Sequence, residues 1–163
     1  MSNNELEIIK QAFLNEHEGY QFYKMAAEQS NSKEEKDALN KLADEELKHI
    51  DYLKDLYQEI TDEDSEGLDV TDLSPPESPG IFSWENASRE KGSLALSVFS
   101  IGIKMEKESI DFYKEAKEKT EIDEARELYD ILIDWEFNHL RTFEKQYDML
   151  KEDWWQEQGF APF

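Results

Sequence analysis

Two segments of the chain carry the same set of metal-ligand side chains, 90 residues apart. In each segment a lone Glu is followed 30 residues later by the tetrad Glu-x-x-His. The six residues are Glu16, Glu46, His49, Glu106, Glu136 and His139. Carboxylates with neutral imidazoles are an N,O ligand set suited to iron or manganese. Two equivalent sets of this kind are the ligand inventory of a dinuclear metal site inside a four-helix bundle.

The elements that must position these residues are four amphipathic helices, because apolar residues recur at helical spacing along four segments. The first helix is predicted from about residue 3 to 29, and the second, opened by a capping box at Ser32, ends near 60. The third resumes near Ser93. After a break at 120–123 a fourth helix precedes an aromatic tail at about 153–163.

Hairpin geometry places the carboxylates opposite each other. Residues of two antiparallel helices reach the same height when they are equidistant from the turn, because each helix rises about 1.5 Å per residue. The midpoint of Glu16 and Glu46 is residue 31, inside a Ser-Asn-Ser turn, and that of Glu106 and Glu136 is residue 121, inside the second break. Glu and His three residues apart share a helix face, so each tetrad can address one ion.

Residues 61–92 lose the helical period and contain three prolines, which indicates a long connection. If two equivalent hairpins share one centre through a two-fold axis, the second and third helices run parallel. The chain must then return along the whole bundle, and about 30 extended residues reach roughly 100 Å, which is ample. The predicted fold is all-α, with two antiparallel helix hairpins joined by a long crossover in a single domain, 1–163.

Composition limits the function classes. The net charge of −22 disfavours nucleic acid and anionic membranes as partners. The absence of cysteine excludes disulfides, thiolate zinc sites and Fe–S clusters, so electrons would have to come from outside. The N-terminus is polar and no stretch approaches 18 apolar residues, so a cytoplasmic location is expected.

The position of the six residues favours a metal site over solvated helix faces. A single Glu-x-x-His is a weak signal, since both residue types are common on exposed helices. Here all six lie on the apolar stripes of their helices, where an unpaired charge costs several kcal/mol. No Lys or Arg falls at the facing positions, and two divalent cations would cancel four carboxylate charges.

The order of these ligands, the Glu-x6-Tyr spacing in the first and third helices, and the repeated Phe-Tyr-Lys strings at 22–24 and 112–114 resemble the rubrerythrin branch of the ferritin-like superfamily. The resemblance covers nearly the whole chain outside the crossover and tail. It implies a ferritin-like bundle, a homodimer, and two iron ions that react with hydrogen peroxide or dioxygen. It also implies that Glu16 and Glu106 are terminal ligands, Glu46 and Glu136 bridges, and His49 and His139 terminal nitrogens.

The chain departs from the family pattern in two places. It has no cysteine-based rubredoxin domain, so an external donor protein, rubredoxin-like or similar, is expected. The family also holds an additional Glu one turn after the third-helix ligand, which exchanges with a His as iron changes oxidation state. That position is Ser109 here, and its repeat partner is Gly19. These small residues either leave room for a ligand or allow tight helix crossing.

Three tyrosines are candidates for contact with the site. Tyr23 and Tyr113 lie two turns from their Glu ligands on the same face, where they could hydrogen-bond a carboxylate, pass an electron, or be core aromatics. Tyr20 faces the site one turn beyond Glu16, and its repeat partner is Ile110. The tail aromatics could dock a partner or a second subunit, or fold back on the bundle.

The function favoured at this point is a di-iron oxidoreductase that reduces hydrogen peroxide, or dioxygen, with electrons from an external donor. Three alternatives remain open: a ferroxidase or iron-handling protein, a dimanganese catalase, and a non-catalytic helical bundle used as an interaction module.

Overall fold

A computed structural model of the protein describes residues 3–31, 33–61, 91–157 and 159. These residues form four helices: α1 (Asn3–Gln29), α2 (Lys33–Thr61), α3 (Lys91–Lys119) and α4 (Asp123–Glu157). Within the described ranges there is no strand. None of these helices combines the length and apolar character needed to cross a membrane.

The helix boundaries agree closely with those expected from periodicity, with one difference at the C-terminus. The aromatic tail was expected from about residue 153, but α4 continues through Trp154 and Trp155 to Glu157. The two indole rings meet edge to face, 5.5 Å apart. The crossover lies almost entirely at 62–90, outside the described residues.

The four helices associate as two hairpins, α1 with α2 and α3 with α4, around a core in two parts. The part at the α1–α2 turn, here the upper core, consists of Phe22, Tyr23, Ala26, Ala27, Leu39, Leu42, Ala43, Val98, Phe99 and Phe143. The part at the α3–α4 turn, here the lower core, consists of Ile9, Ala12, Phe13, Ile50, Leu53, Leu56, Ile60, Tyr113, Ala116, Ala125, Tyr129, Leu132 and Ile133.

Membership of the two cores shows that α2 and α3 run parallel. Leu42 and Phe99, early in their helices, lie in the upper core. Ile60 and Ala116, late in the same helices, lie in the lower core. The predicted all-α architecture of two antiparallel hairpins in a ferritin-like arrangement is thereby confirmed. It requires the chain to return from the lower to the upper end between α2 and α3.

A buried carboxylate joins the start of α1 to the α3–α4 turn. Glu5 is only 4% exposed. It accepts hydrogen bonds from Thr120 Oγ1 and from the Tyr129 hydroxyl, each at 2.6 Å. Burial, and then the hydrogen bond to Glu5, raise the pKa of Tyr129 above its ordinary value. This contact, here the Glu5 clasp, holds the two hairpins together at the lower end.

Candidate metal centre

The six residues expected to bind metal converge between the upper and lower cores. Each is at most 4% exposed, and together they form a polar layer across the bundle: Glu16, Glu46, His49, Glu106, Glu136 and His139. The 3.6-residue period puts each on the inward stripe of its helix, and equidistance from the turns puts them at one height.

Within this polar layer the ligand atoms form two overlapping groups. One consists of Glu16, Glu46, His49 and Glu136, and the other of Glu46, Glu106, Glu136 and His139. In each group the atoms offered lie within 4.8 Å of one another. Only Glu46 and Glu136 belong to both, which is the position that the family resemblance implies for bridging ligands. The ligand roles themselves stay predictions.

Both imidazoles direct Nδ1 towards the carboxylates. His49 Nδ1 lies 3.0 Å from Glu16 Oε2 and 3.1 Å from Glu46 Oε2. His139 Nδ1 lies 3.2 Å from Glu136 Oε2 and 3.6 Å from Glu106 Oε1. The two rings stack with centroids 5.5 Å apart and planes 15° apart. The arrangement therefore offers one nitrogen to each of two neighbouring positions.

The electrostatics of the polar layer show a strong demand for positive charge. Burial, followed by repulsion from neighbouring carboxylates, raises the pKa of Glu16 and of Glu106. Burial also opposes charge on Glu136 and His49, but their charged neighbours dominate. His139 and His49 hold the pKa of Glu136 well below its usual range, and the carboxylates of Glu136, Glu16 and Glu46 raise the pKa of His49 to about 12. These pKa shifts all favour added positive charge in the layer, which divalent cations can supply.

Buried atoms of the polar layer that lack hydrogen-bond partners indicate that a metal ion would fit there. His139 Nδ1 and Glu136 Oε2 are buried without a hydrogen-bond partner, although they lie 3.2 Å apart. An ion between them would use both lone pairs at once, which a single proton in this geometry does not. In the described helices, the ion pairs of these carboxylates involve imidazoles and no Lys or Arg. The residues fit a pair of divalent cations with N,O ligands.

Tyr23 and Tyr113 each connect one hairpin to the lone Glu of the other. The Tyr23 hydroxyl donates to Glu106 Oε1, and the Tyr113 hydroxyl donates to Glu16 Oε1. Burial, and then the adjacent carboxylates, raise the pKa of both tyrosines. Of the alternatives open for these tyrosines, the structure shows the hydrogen bond to a site carboxylate. An electron-transfer role stays a hypothesis.

Tyr20, the third candidate, packs beside the upper core. It is half-buried, and its ring centroid lies 6.2 Å from that of His17. Its contribution to the site stays a prediction.

The sequence profile of the rubrerythrin family matches residues 7–147. The chain belongs to the rubrerythrin family. Among solved structures, a hypothetical protein, Pfu-1136390-001, from Pyrococcus furiosus is similar, with a TM-score of 0.71 and 26% identity over 90% of this chain and 89% of that one. CopM in the Cu(II)-bound form shares the fold, with a TM-score of 0.68 and 13% identity over 88% of this chain and 95% of that one. No curated protein matches the sequence significantly.

The position of the rubrerythrin family's additional Glu is occupied by Ser109, which donates a hydrogen bond to Glu136 Oε1 at 3.1 Å. Its repeat partner Gly19 lies against the other predicted bridge, since a Cβ added there would lie 3.5 Å from the carboxyl carbon of Glu46. That is ordinary van der Waals contact, so a tight helix crossing does not explain this glycine. The hydrogen bond from Ser109 was not anticipated from the sequence.

Two further residues that this rubrerythrin-family chain places against the site were also missed. Glu45 Oε2 accepts a hydrogen bond from His139 Nε2 at 2.7 Å. The Trp135 ring stacks on His49 at 5.0 Å and 28°. Each is the residue just before a tetrad, and they are 90 residues apart. The sequence repeat could have pointed to these two contacts, because positions 45 and 135 are equivalent neighbours of the ligands and carry unlike side chains.

Proposed function

We propose that this rubrerythrin-family protein is a di-iron oxidoreductase that reduces hydrogen peroxide, or dioxygen, with electrons from an external donor protein. The observation that carries the proposal is the pair of buried N,O groups sharing Glu46 and Glu136. The family supports iron over manganese, because the rubrerythrin resemblance implies a di-iron centre.

The side chains divide into three roles. Glu16 and His49 would hold one ion, Glu106 and His139 would hold the other, and the two shared carboxylates would set their spacing. Bound iron would supply the two electrons that convert peroxide, with two protons, into two water molecules. Tyr23 and Tyr113 orient the lone carboxylates through their hydroxyls. The upper and lower cores exclude bulk water from both faces of the layer.

The 163 residues contain no cysteine for an Fe–S or rubredoxin-like centre, so the proposed reaction needs a source of electrons outside them. We therefore propose a one-electron donor protein, rubredoxin-like or similar, as the partner. A homodimer and a cytoplasmic setting belong to the same proposal. A net charge of −22 favours a donor whose docking face is positively charged.

The test begins with metal analysis of protein made in medium containing both iron and manganese. The reduced form is then mixed rapidly, without air, with peroxide and separately with oxygen. Two irons per chain and faster oxidation by peroxide would support the proposal. Oxygen-driven release of ferric iron would indicate iron handling, and oxygen evolution from peroxide by a manganese form without reductant would indicate a catalase.

A matched pair of variants separates the metal centre from a bundle that only mediates interactions. Glu46→Ala removes a shared carboxylate and should reduce both metal content and peroxide reactivity. Asp44→Ala changes the chain charge equally at an exposed position of the same helix and should leave both unchanged. Full reactivity of the Glu46 variant would reject the proposed function.

A further inference from the structure

We propose that the two metal positions are intrinsically unequal, with the position of His139 binding its divalent ion more tightly than that of His49. The cause is the residue behind each imidazole, Glu45 in one case and Trp135 in the other. This inference rests on the proposed metal centre and adds an order of filling to it.

The Glu45 side supports a strong nitrogen ligand. His139 Nε2 donates to Glu45 Oε2 at 2.7 Å, while Nδ1 of the same ring faces Glu46, Glu106 and Glu136. A carboxylate that accepts the outer N–H fixes the tautomer with Nδ1 free to bind metal, fixes the ring orientation, and increases the basicity of Nδ1. The Glu45 side chain is 31% exposed, so its charge is retained beside the site.

The Trp135 side lacks that support. His49 Nε2 is buried and has no hydrogen-bond partner among the described residues. The indole of Trp135 stacks on the imidazole face and meets Tyr52 edge to face, 5.4 Å away. Stacking holds the ring plane but accepts no hydrogen bond from Nε2. His49 therefore keeps the orientation of a ligand without the added basicity that a carboxylate provides.

The two metal positions are alike in their other main contacts, so the residue behind each imidazole is the difference to explain. Each lone Glu accepts a hydrogen bond from a tyrosine of the opposite hairpin. Both positions share the same two carboxylates. The hydrogen bond from Ser109 reaches Glu136, which belongs to both groups of ligand atoms and so does not by itself favour one position. The difference that remains at the imidazoles is the residue behind each ring, Glu45 behind His139 and Trp135 behind His49.

The first test measures the affinity of each position alone, with Co²⁺ as the probe and a competing chelator. His49→Ala retains the His139 position, and His139→Ala retains the His49 position. We expect the His49 variant to bind its one ion about 10- to 100-fold more tightly, the usual effect of losing a partner behind a metal-bound imidazole. Equal affinities would overturn the inequality. Each variant's helical content is checked by circular dichroism.

The second test leaves all six ligands intact and therefore does not depend on whether those variants fold. In the otherwise unchanged chain, Glu45→Ala should weaken the tighter Co²⁺ step about 10- to 100-fold and leave the weaker step unchanged. Glu45→Gln, which can still accept the hydrogen bond, should restore part of the affinity. Trp135→Glu should strengthen the weaker step, and Asp44→Ala is the control for charge.

The outcomes distinguish failure of the proposed metal centre from failure of the proposed inequality between its two positions. If the unchanged chain binds no Co²⁺, the metal centre itself is wrong and the inequality falls with it. If it binds two ions and Glu45→Ala leaves both affinities unchanged, the centre stands and the inequality alone is rejected.

Discussion

Ser109 and Gly19 give the two shared carboxylates different freedom. Ser109 holds one oxygen of Glu136 through a hydrogen bond, whereas Gly19 offers Glu46 only space. A carboxylate must rotate to change from bridging two ions to binding one. If the proposed centre forms, we expect Glu46 to rotate more readily than Glu136, because it lacks the serine hydrogen bond.

Gly19→Ser should give Glu46 the hydrogen bond that Glu136 already has. A hydrogen bond to a charged acceptor contributes about 1.5–3 kcal/mol, and helix propensity favours Ser over Gly by a further few tenths of a kcal/mol. Gly19→Ala is the control, because Ala is the better helix former but carries no hydroxyl. Urea unfolding of the metal-free proteins should place Ser above Ala in stability. The order Ala above Ser would show that propensity alone acts.

At the scale of residues, the sequence predicted which six side chains come together but not which neighbouring side chains contact the two histidines. The ligand positions follow from helical period and distance to a turn, which are properties of each hairpin by itself. The contacts from Glu45 to His139 and from Trp135 to His49 cross between α2 and α4. They depend on the rotation and separation of helices from different hairpins, which tertiary packing decides.

At the scale of helices, the Glu5 clasp joins the start of α1 in one hairpin to the α3–α4 turn and to α4 in the other. Its donors come from the α3–α4 turn and from the first turns of α4, and its acceptor comes from the start of α1. This contact was not anticipated from the sequence, because partners more than 100 residues apart leave no local pattern in a single sequence.

Tyr129→Phe should change both the stability and its dependence on pH. Losing the hydrogen bond to buried Glu5 should cost about 1–3 kcal/mol at pH 7. Since the folded pKa of Tyr129 is raised, the unfolded chain releases this proton first, near pH 10. The native protein should therefore lose stability as pH rises above about 10, by roughly 1.4 kcal/mol per pH unit for this group.

Urea unfolding between pH 8 and 11 measures that slope. The Tyr129 variant should fall less steeply than the parent above about pH 10, by roughly 1.4 kcal/mol per pH unit. Tyr52→Phe, at a residue 45% exposed, is the comparison. Parallel curves for parent and Tyr129 variant would contradict the role assigned to this hydroxyl.

Gly102 of α3 lies directly against the Phe143 ring of α4. A Cβ there would lie 2.9 Å from Cε1 of Phe143. The Phe143 ring packs against Tyr23 and Phe99, which leaves it little room to move away. Gly102→Ala should therefore destabilise the protein by about 1–3 kcal/mol, less up to about 1 kcal/mol gained in helix propensity.

The other hairpin suggests the compensating change. Its equivalent positions hold Ala12 and Leu53, both fully buried. Adding Phe143→Leu to Gly102→Ala reproduces that combination and should recover part of the loss, because the shorter side chain gives the new methyl room. Thermal unfolding of the two single variants and the double variant measures the coupling. Strict additivity would show that the two positions do not compete for space.

For the whole molecule, filling the polar layer should raise stability through mass action. An ion at 100 times its Kd stabilises the native state by about 2.7 kcal/mol per site, which corresponds to roughly 5–10 °C in Tm for a chain of this size. Thermal scans with increasing Mn²⁺ or Co²⁺ should show this shift. Mg²⁺, which prefers oxygen ligands and water, should give little, and Glu46→Ala with Glu136→Ala should abolish it.

The overall architecture could be predicted from the sequence because helical periodicity, turn positions and the length of the crossover all agreed with one fold. Periodicity gave the helices, turn positions gave the hairpins, and the length of residues 61–92 allowed the parallel return of α3. The end of α4 was less accessible. The helix continues through Trp154 to Glu157, because nothing in that stretch, neither proline nor glycine, stops it before Gly159.

The polar layer also lies between the upper and lower cores, which form two separate clusters of buried apolar side chains. Every one of the four helices contributes to both half-cores, yet the buried apolar contacts of one half do not continue into the other. Cooperative unfolding depends on such continuity. Two cations shared by four helices would join the two halves, so we expect the metal-bound protein to unfold more cooperatively than the metal-free chain.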